Sequence, residues 1–252
     1  MMDETPQELR NRRFKEYQAR NPGTTYAQWL HGAAVNHVKQ GLQHATLGSN
    51  LNKGEWWEAG RPAFERYRRV TGIQPDAKMV DYGCGSLRIG GHFIRYLAPE
   101  RYYGLDVTTA LIESGKELVG PELLAEKRPR FGAIEPQALK SAAAFGADCV
   151  ISTAVCYHVH PDEAPVYFGN LRQLAAKADA KLLFDAVISD APSAESALAM
   201  PVDYYVKALA PLVFVDFHVS AKRPSETIGV LEFRQPPRAA RMSWRTKKKT
   251  AK

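Results

Sequence analysis

The chain has 252 residues, 45% of them hydrophobic, and a formal net charge of +7. This composition can bury one sizeable core with a small accessory segment, and no apolar run reaches the roughly 20 residues that a membrane helix needs. The three cysteines are an odd number and form no CxxC pair, which argues against a disulfide framework or a zinc site.

The excess positive charge lies at the end of the chain. Residues 238–252 contain seven lysines and arginines and no acid, and the rest of the chain is balanced in charge. We expect a disordered, solvated tail there. An attraction of this tail to RNA or to a membrane surface is the less favoured alternative. The first residues carry acids and lack the apolar segment of a secretory signal, so a cytoplasmic protein is expected.

Residues 1–75 are predicted to be helical. Apolar residues from Tyr26 to Val38 recur at spacings of three and four, and a basic helix ends at Gly72. Aromatic side chains are frequent in this region, which suggests that it packs onto a main domain spanning residues 76–237.

A strand, a glycine turn, a helix and a second strand are predicted from Met79 to Asp106. Glycines in such a turn let the backbone approach a ligand, and the acid that ends the second strand can accept hydrogen bonds from ribose hydroxyls. Asp106 follows Gly85 by 21 positions, close to the interval that nucleotide-binding units use.

The nucleotide is not expected to be a dinucleotide. Arg88 stands where the dinucleotide fingerprint needs its third glycine, and Asp81 would repel a pyrophosphate. An acid at this place suits a ligand that carries an ammonium and a sulfonium group.

Further elements alternate along the rest of the chain. A central parallel strand is expected within the apolar run 147–159, because such strands are buried on both faces. Pro211–Ser220 and Thr227–Gln235 are separated by a link too short for a parallel crossover, so they should pair antiparallel. The remaining predictions are helices over 108–124, after His160, over 194–200 and over 204–209, and strands over 130–134 and 181–187.

From Lys78 to Gln235 this pattern resembles the class I S-adenosylmethionine-dependent methyltransferases. Asp81, Gly83, Gly85 and Asp106 match the first motif and the acid of that family, while Leu87 replaces the usual third glycine. The resemblance implies an α/β fold with a doubly wound, mostly parallel seven-stranded sheet. An antiparallel C-terminal hairpin closes this sheet, and an N-terminal helical segment precedes it as a cap that selects the substrate.

The resemblance also implies S-adenosyl-L-methionine as cofactor and a set of site residues. Ser152 and the pair His158-Val159 take the places of the fourth-strand motif. His158 is the candidate general base, since its pKa range suits that task. The alternatives are a structural role for His158 in the turn, with His160 or Tyr157 as weaker candidates for the base. The implied cofactor-binding residues are Asp81, Gly83, Cys84, Gly85, Asp106, Val107, Ala133, Ile134 and Ser152.

Within the family, motifs of several subclasses are missing. There is no Asp/Asn-Pro-Pro-aromatic element, no Pro-Cys dipeptide and no Asp-Asn pair for a metal. A metal-free transfer to an oxygen or nitrogen of a small molecule, such as a sugar or secondary metabolite, is therefore expected. The alternatives are an RNA or protein methyltransferase that uses the tail, an NAD(P)-dependent reductase, and a non-catalytic nucleotide-binding protein. The oligomeric state stays open.

Overall fold

A computed structural model describes residues 4–39 and 53–237. The helices are α1 (Pro6–Arg20), α2 (Tyr26–Lys39), α3 (Lys53–Thr71), α4 (Gly90–Tyr96), α5 (Thr109–Val119), α6 (Pro121–Lys127), α7 (Pro136–Phe145), α8 (Ala164–Leu174) and α9 (Val202–Leu209). The strands are β1 (Met79–Tyr82), β2 (Tyr102–Asp106), β3 (Arg130–Ala133), β4 (Cys149–Ser152), β5 (Lys181–Ile188), β6 (Val213–Lys222) and β7 (Thr227–Arg234).

The strands form one sheet in the order β3-β2-β1-β4-β5-β7-β6. The strands β3, β2, β1, β4 and β5 run parallel to one another. Strand β7 pairs antiparallel with both β5 and β6. The strand order reverses between β1 and β4, and ligands bind at the carboxyl ends of strands at such a switch point. The predicted fold class, including the antiparallel closing hairpin, is confirmed.

Apolar side chains cover both faces of the sheet. One face packs against α7, α8 and α9 through residues such as Phe145, Phe168 and Tyr205. The other face packs against α3, α4 and α5, and Trp56 and Tyr67 of α3 are fully buried there. Although α3 precedes residue 75, it contributes to the same core as the sheet.

The first two helices dock near the end of β4. The ring of Tyr26 in α2 lies 5.0 Å from Phe14 of α1 and 5.2 Å from His160. In addition, the Gln7 backbone N–H donates to the Ala194 carbonyl at 3.0 Å. The described part of residues 1–75 is thus mainly helical, with turns at 21–25 and 72–75, and its role as a substrate-selecting cap remains a proposal.

The run 147–159 contains a shorter strand than expected. β4 ends at Ser152, and Ala154 takes a positive φ of 57° while its N–H donates to Asp185 at 2.9 Å. A single 3₁₀ turn, Cys156–His158, then follows. The extended conformation therefore ends at a bend that is stabilised by the hydrogen bond from Ala154 to the Asp185 carboxylate in β5.

The predicted helix over 194–200 is wrong. The Ala197 N–H donates to the Tyr157 carbonyl at 2.8 Å, and Ala199 forms a parallel bridge with Val187. Backbone groups of this segment hydrogen-bond to residues far away in the chain, and these bonds take the place of the hydrogen bonds within a helix. The helix predicted over 108–124 is divided at Gly120, whose φ of 96° separates α5 from α6.

No helix among the described residues is long and apolar enough to cross a bilayer. The basic tail, residues 238–252, lies outside the described residues.

Candidate active site

A cavity of about 760 Å³ opens at the carboxyl ends of β1, β2 and β4. Its volume falls within the range of about 300–1,000 Å³ that is usual for small-molecule sites. The lining residues come from the turn after β1, the ends of β2 and β3, the segment after β4, the start of α8, and α2. The switch point of the sheet is therefore covered by an N-terminal helix.

The glycine turn after β1 forms the floor of the cavity. Gly83 has a φ of 84°, and a Cβ there would lie 2.4 Å from Cγ2 of Val155, so no other residue fits. Leu87, which replaces the third glycine of the motif, keeps a glycine-like φ of 59°. This conformation costs an L-residue roughly 1–2 kcal/mol, and the Leu87 side chain is completely buried.

Gly85 faces open space. Its φ is 52°, and a Cβ built on it would meet no atom within 4 Å. Because Gly85 also lines the cavity, its backbone offers a ligand close approach.

Asp106 ends β2 and is only 2% exposed. Its Oδ2 accepts the Gly85 N–H at 2.8 Å, and its Oδ1 accepts the Thr108 N–H at 3.1 Å. Burial raises the pKa of this carboxyl, while nearby His31 and the backbone donors oppose the increase. Each oxygen retains a further acceptor position, which is what two ribose hydroxyls require.

Asp81 lies in β1 and is 3% exposed. The Tyr102 hydroxyl donates to its Oδ2 at 2.7 Å. Burial raises the pKa of Asp81 to about 7, and the neighbouring Asp106 adds to this increase. Two buried carboxylates at one end of the cavity favour a cationic ligand, because a positive charge would stabilise both ionised forms.

Most of the predicted cofactor residues meet at this cavity. Asp81, Gly83, Cys84, Gly85, Asp106, Val107, Ala133 and Ile134 all line it. Ser152 is the exception. It is completely buried, and its hydroxyl donates to the Tyr82 carbonyl and accepts from the Tyr167 hydroxyl, both at 2.9 Å. Its polar group is used inside the core, so Ser152 is not retained as a cofactor contact.

His158 lies on the 3₁₀ turn after β4 and lines the cavity. The residue as a whole has an exposed surface. Desolvation by the surrounding protein atoms, together with the neighbouring His31 and Arg10, lowers the pKa of His158 to about 4. The imidazole is therefore neutral at pH 7 and can accept a proton, although a pKa this low makes it a weak base.

The second helix supplies lining residues that sequence patterns did not indicate. Thr25, Ala27, Gln28 and His31 face the cavity. Thr25 and Gln28 form a capping box with bonds of 3.0 and 3.1 Å. The sequence contained this capping signal, but nothing in it placed the helix over the glycine turn.

A carboxylate from another element fixes the start of α2. Glu163, just before α8, accepts the backbone N–H of Tyr26 and, at 3.4 Å, that of Ala27. Carboxylates are favourable at a helix N-terminus because unpaired N–H groups and the helix dipole both attract negative charge. Glu163 therefore connects the roof of the cavity to the segment that carries His158.

Metal ligands do not cluster in the described part of the chain. No group of three or more His, Cys, Asp or Glu side chains there could hold a metal ion.

Comparisons with protein-family models and with curated proteins found no match. Solved structures do match. A geranyl diphosphate C-methyltransferase from Streptomyces coelicolor A3(2), solved with Mg²⁺, geranyl diphosphate and S-adenosyl-L-homocysteine, has a TM-score of 0.60 and 15% identity, covering 85% of this chain and 99% of its own. Magnesium protoporphyrin IX methyltransferase (ChlM) from Synechocystis PCC 6803 with bound SAH has a TM-score of 0.57 and 15% identity, covering 83% and 97%.

A third similar structure is the [4+2]-cyclase SpnF, with a TM-score of 0.56 and 10% identity, covering 70% of this chain and 80% of its own. The chain thus has the fold of the class I S-adenosylmethionine-dependent methyltransferases. At these identities the likeness concerns the fold, and the activity has to be argued from the site.

Replacing Glu163 with alanine should loosen α2. Loss of a helix cap costs typically about 1 kcal/mol, which corresponds to roughly fivefold faster local opening. Hydrogen exchange measured by mass spectrometry should show faster exchange at the start of α2. Asp162→Ala is the matched control, because Asp162 precedes Glu163 in the chain and its side chain is 90% exposed. Equal exchange in both variants would contradict a capping role for Glu163.

Proposed function

We propose that this protein is an S-adenosylmethionine-dependent methyltransferase that acts without a metal on an oxygen or nitrogen of a small molecule. Sugars and secondary metabolites are candidate acceptors. The observation that carries this proposal is the pair of buried carboxylates, Asp81 and Asp106, on either side of an open glycine turn. The ligands of the similar methyltransferase structures support the same cofactor.

The lining residues suit the parts of this cofactor. Asp106 would accept the ribose hydroxyls, and Val107, Ala133 and Ile134 would contact the adenine. The turn from Gly83 to Gly85, with Asp81 beneath it, would hold the aminoacyl end. When bound, S-adenosylmethionine supplies an activated methyl group. The protein then has mainly to align the acceptor, a contribution that can reach roughly 7–11 kcal/mol.

His158 is the proposed general base. Its neutral ring lies at the cavity wall, and no residue of the described chain hydrogen-bonds it. It can therefore take the proton of a hydroxyl acceptor as the bond from oxygen to the methyl carbon forms and the carbon–sulfur bond breaks. For an ammonium acceptor, it would have to remove the proton before the nitrogen attacks. The helix α2 above it would exclude water and select the acceptor.

Calorimetry should detect binding of S-adenosylhomocysteine and none of NADPH. Asp106→Ala should weaken this binding about 10- to 150-fold, the effect of losing a hydrogen bond to a charged group. Asp106→Asn, which keeps one carbonyl oxygen, should be intermediate. Asp76→Ala removes an exposed carboxylate before β1 and serves as control. NADPH binding, or an unchanged dissociation constant in Asp106→Ala, would refute the cofactor assignment.

The affinity for S-adenosylhomocysteine should depend on pH through Asp81. With a pKa of about 7 in the free protein, this carboxyl must lose its proton before it can stabilise the ligand's ammonium. The association constant should therefore rise as pH increases towards 7 and level off above it. Asp81→Asn should bind more weakly and show no such rise between pH 5.5 and 8, and a rise that persists in this variant would exclude Asp81 as the cause.

A metabolite pool incubated with methyl-labelled S-adenosylmethionine should yield a labelled product whose identification defines the acceptor. His158→Ala should lower the rate of labelling about 10²–10⁴-fold, the usual contribution of a general base. Its affinity for S-adenosylhomocysteine should stay the same. A parallel loss of affinity and rate would instead assign His158 a structural role.

A further inference from the structure

The guanidinium of Arg88 has no hydrogen-bond or ion-pair partner among the residues that the structure describes. Arg88 follows the glycine turn, is half-buried and lines the cavity. It forms no hydrogen bond or ion pair with any residue of 4–39 or 53–237. Arg66, by contrast, bonds to Asp185 at 3.1 Å and to Ser220 at 3.0 Å, and Arg10 bonds to the Glu195 carbonyl.

The acids that line the cavity are either engaged elsewhere or exposed. Asp106 accepts from the glycine turn, Asp81 accepts from Tyr102, and Glu163 caps α2. Two further lining acids are exposed: the side chain of Asp162 is 90% exposed, and Glu135 precedes α7 at the surface. A partly desolvated guanidinium without a carboxylate partner is costly, and paired oxygens of an anionic ligand would offset that cost through two parallel hydrogen bonds.

A second free donor lines the same cavity as Arg88. The Tyr157 hydroxyl also lacks a hydrogen bond within the described residues. Burial raises the pKa of Tyr157 to about 12, and the charges of Arg88 and Arg66 act against that increase. Tyr157 therefore stays protonated and can donate. Its ring contacts that of His158, with centroids 4.5 Å apart.

Apolar residues next to these groups in the chain line the same cavity. Ile89 follows Arg88, and Val155 and Val159 flank the pair Tyr157-His158. An acceptor held here would need an apolar body and one anionic end.

We propose that Arg88 and Tyr157 form an anion subsite for the methyl acceptor, which carries a carboxylate or phosphate group on an apolar body and presents its reacting atom to His158. This assignment of the substrate class rests on the proposed function. The main rival is that Arg88 binds the carboxylate of the cofactor itself.

Three naphthalene probes test the subsite on the full chain: 1-naphthylacetate, 1-naphthyl phosphate and the neutral 1-naphthylacetamide. Their dissociation constants are measured by ligand-observed NMR, with and without S-adenosylhomocysteine. At least one anionic probe should bind about tenfold or more tightly than the amide. In Arg88→Gln, the ratio of the dissociation constant of the amide to that of the anionic probe should fall to about one. The ratio should decrease partly in Arg88→Lys and in Tyr157→Phe, and it should not change in Arg69→Gln. Arg69 is an exposed arginine of α3 that does not line the cavity.

The anion that binds more tightly identifies the acceptor's charged group. Equal binding of all three probes to the unaltered protein would overturn the proposal, as would an anion preference that survives in Arg88→Gln. It would also be overturned if Arg88→Gln weakened S-adenosylhomocysteine about tenfold and left the probe preference unchanged. An Arg88-dependent preference without any binding of S-adenosylhomocysteine would uphold the subsite while refuting the proposed cofactor.

Discussion

One hydrogen bond joins the two halves of the candidate site: the Gly85 N–H donates to the carboxylate of Asp106 at 2.8 Å. It connects the turn after β1 to the end of β2, and the Gly83 and Cys84 N–H groups reinforce this link by donating to the Leu105 carbonyl. Because the Asp106 carboxylate is only 2% exposed, the electrostatic contribution of this bond is larger than it would be in solvent. The position of the turn relative to the acid, and hence the shape of the cavity floor, depends on it.

Local patterns were sufficient for most strands and for the glycine turn. Continuous apolar strands, the glycine turn and a short link before β7 each have a local physical cause, so these elements could be predicted from the residues. The complete seven-stranded sheet was implied by the family resemblance, and the cofactor contacts implied with it stay predictions. The errors came from long-range contacts. Residues 194–200 have a helical composition, yet their backbone bonds to Tyr157 and Val187. Ser152 ends its strand as expected, but Tyr167 and Tyr82 engage its hydroxyl.

The roof of the cavity illustrates the same limit. The periodicity of α2 predicted a helix, but its location follows from Glu163, which lies 137 positions beyond Tyr26 in the chain. Residues 1–75 were predicted to form one cap, but their helices pack in two different ways. α3 is part of the core through Trp56 and Tyr67, whereas α1 and α2 contact the segments after β4 and β5.

The left-handed leucine in the glycine turn has a consequence for recognition. A glycine at position 87 would leave the loop free to relax when no ligand is present. Leu87 instead anchors the turn, since its side chain is buried among the core residues and its N–H donates to the Cys84 carbonyl at 3.0 Å. The ligand-facing backbone is thus rigid before binding. Less conformational entropy is then lost when the ligand binds. The strain of the left-handed Leu87 backbone lowers the stability of the folded protein and does not weaken ligand binding.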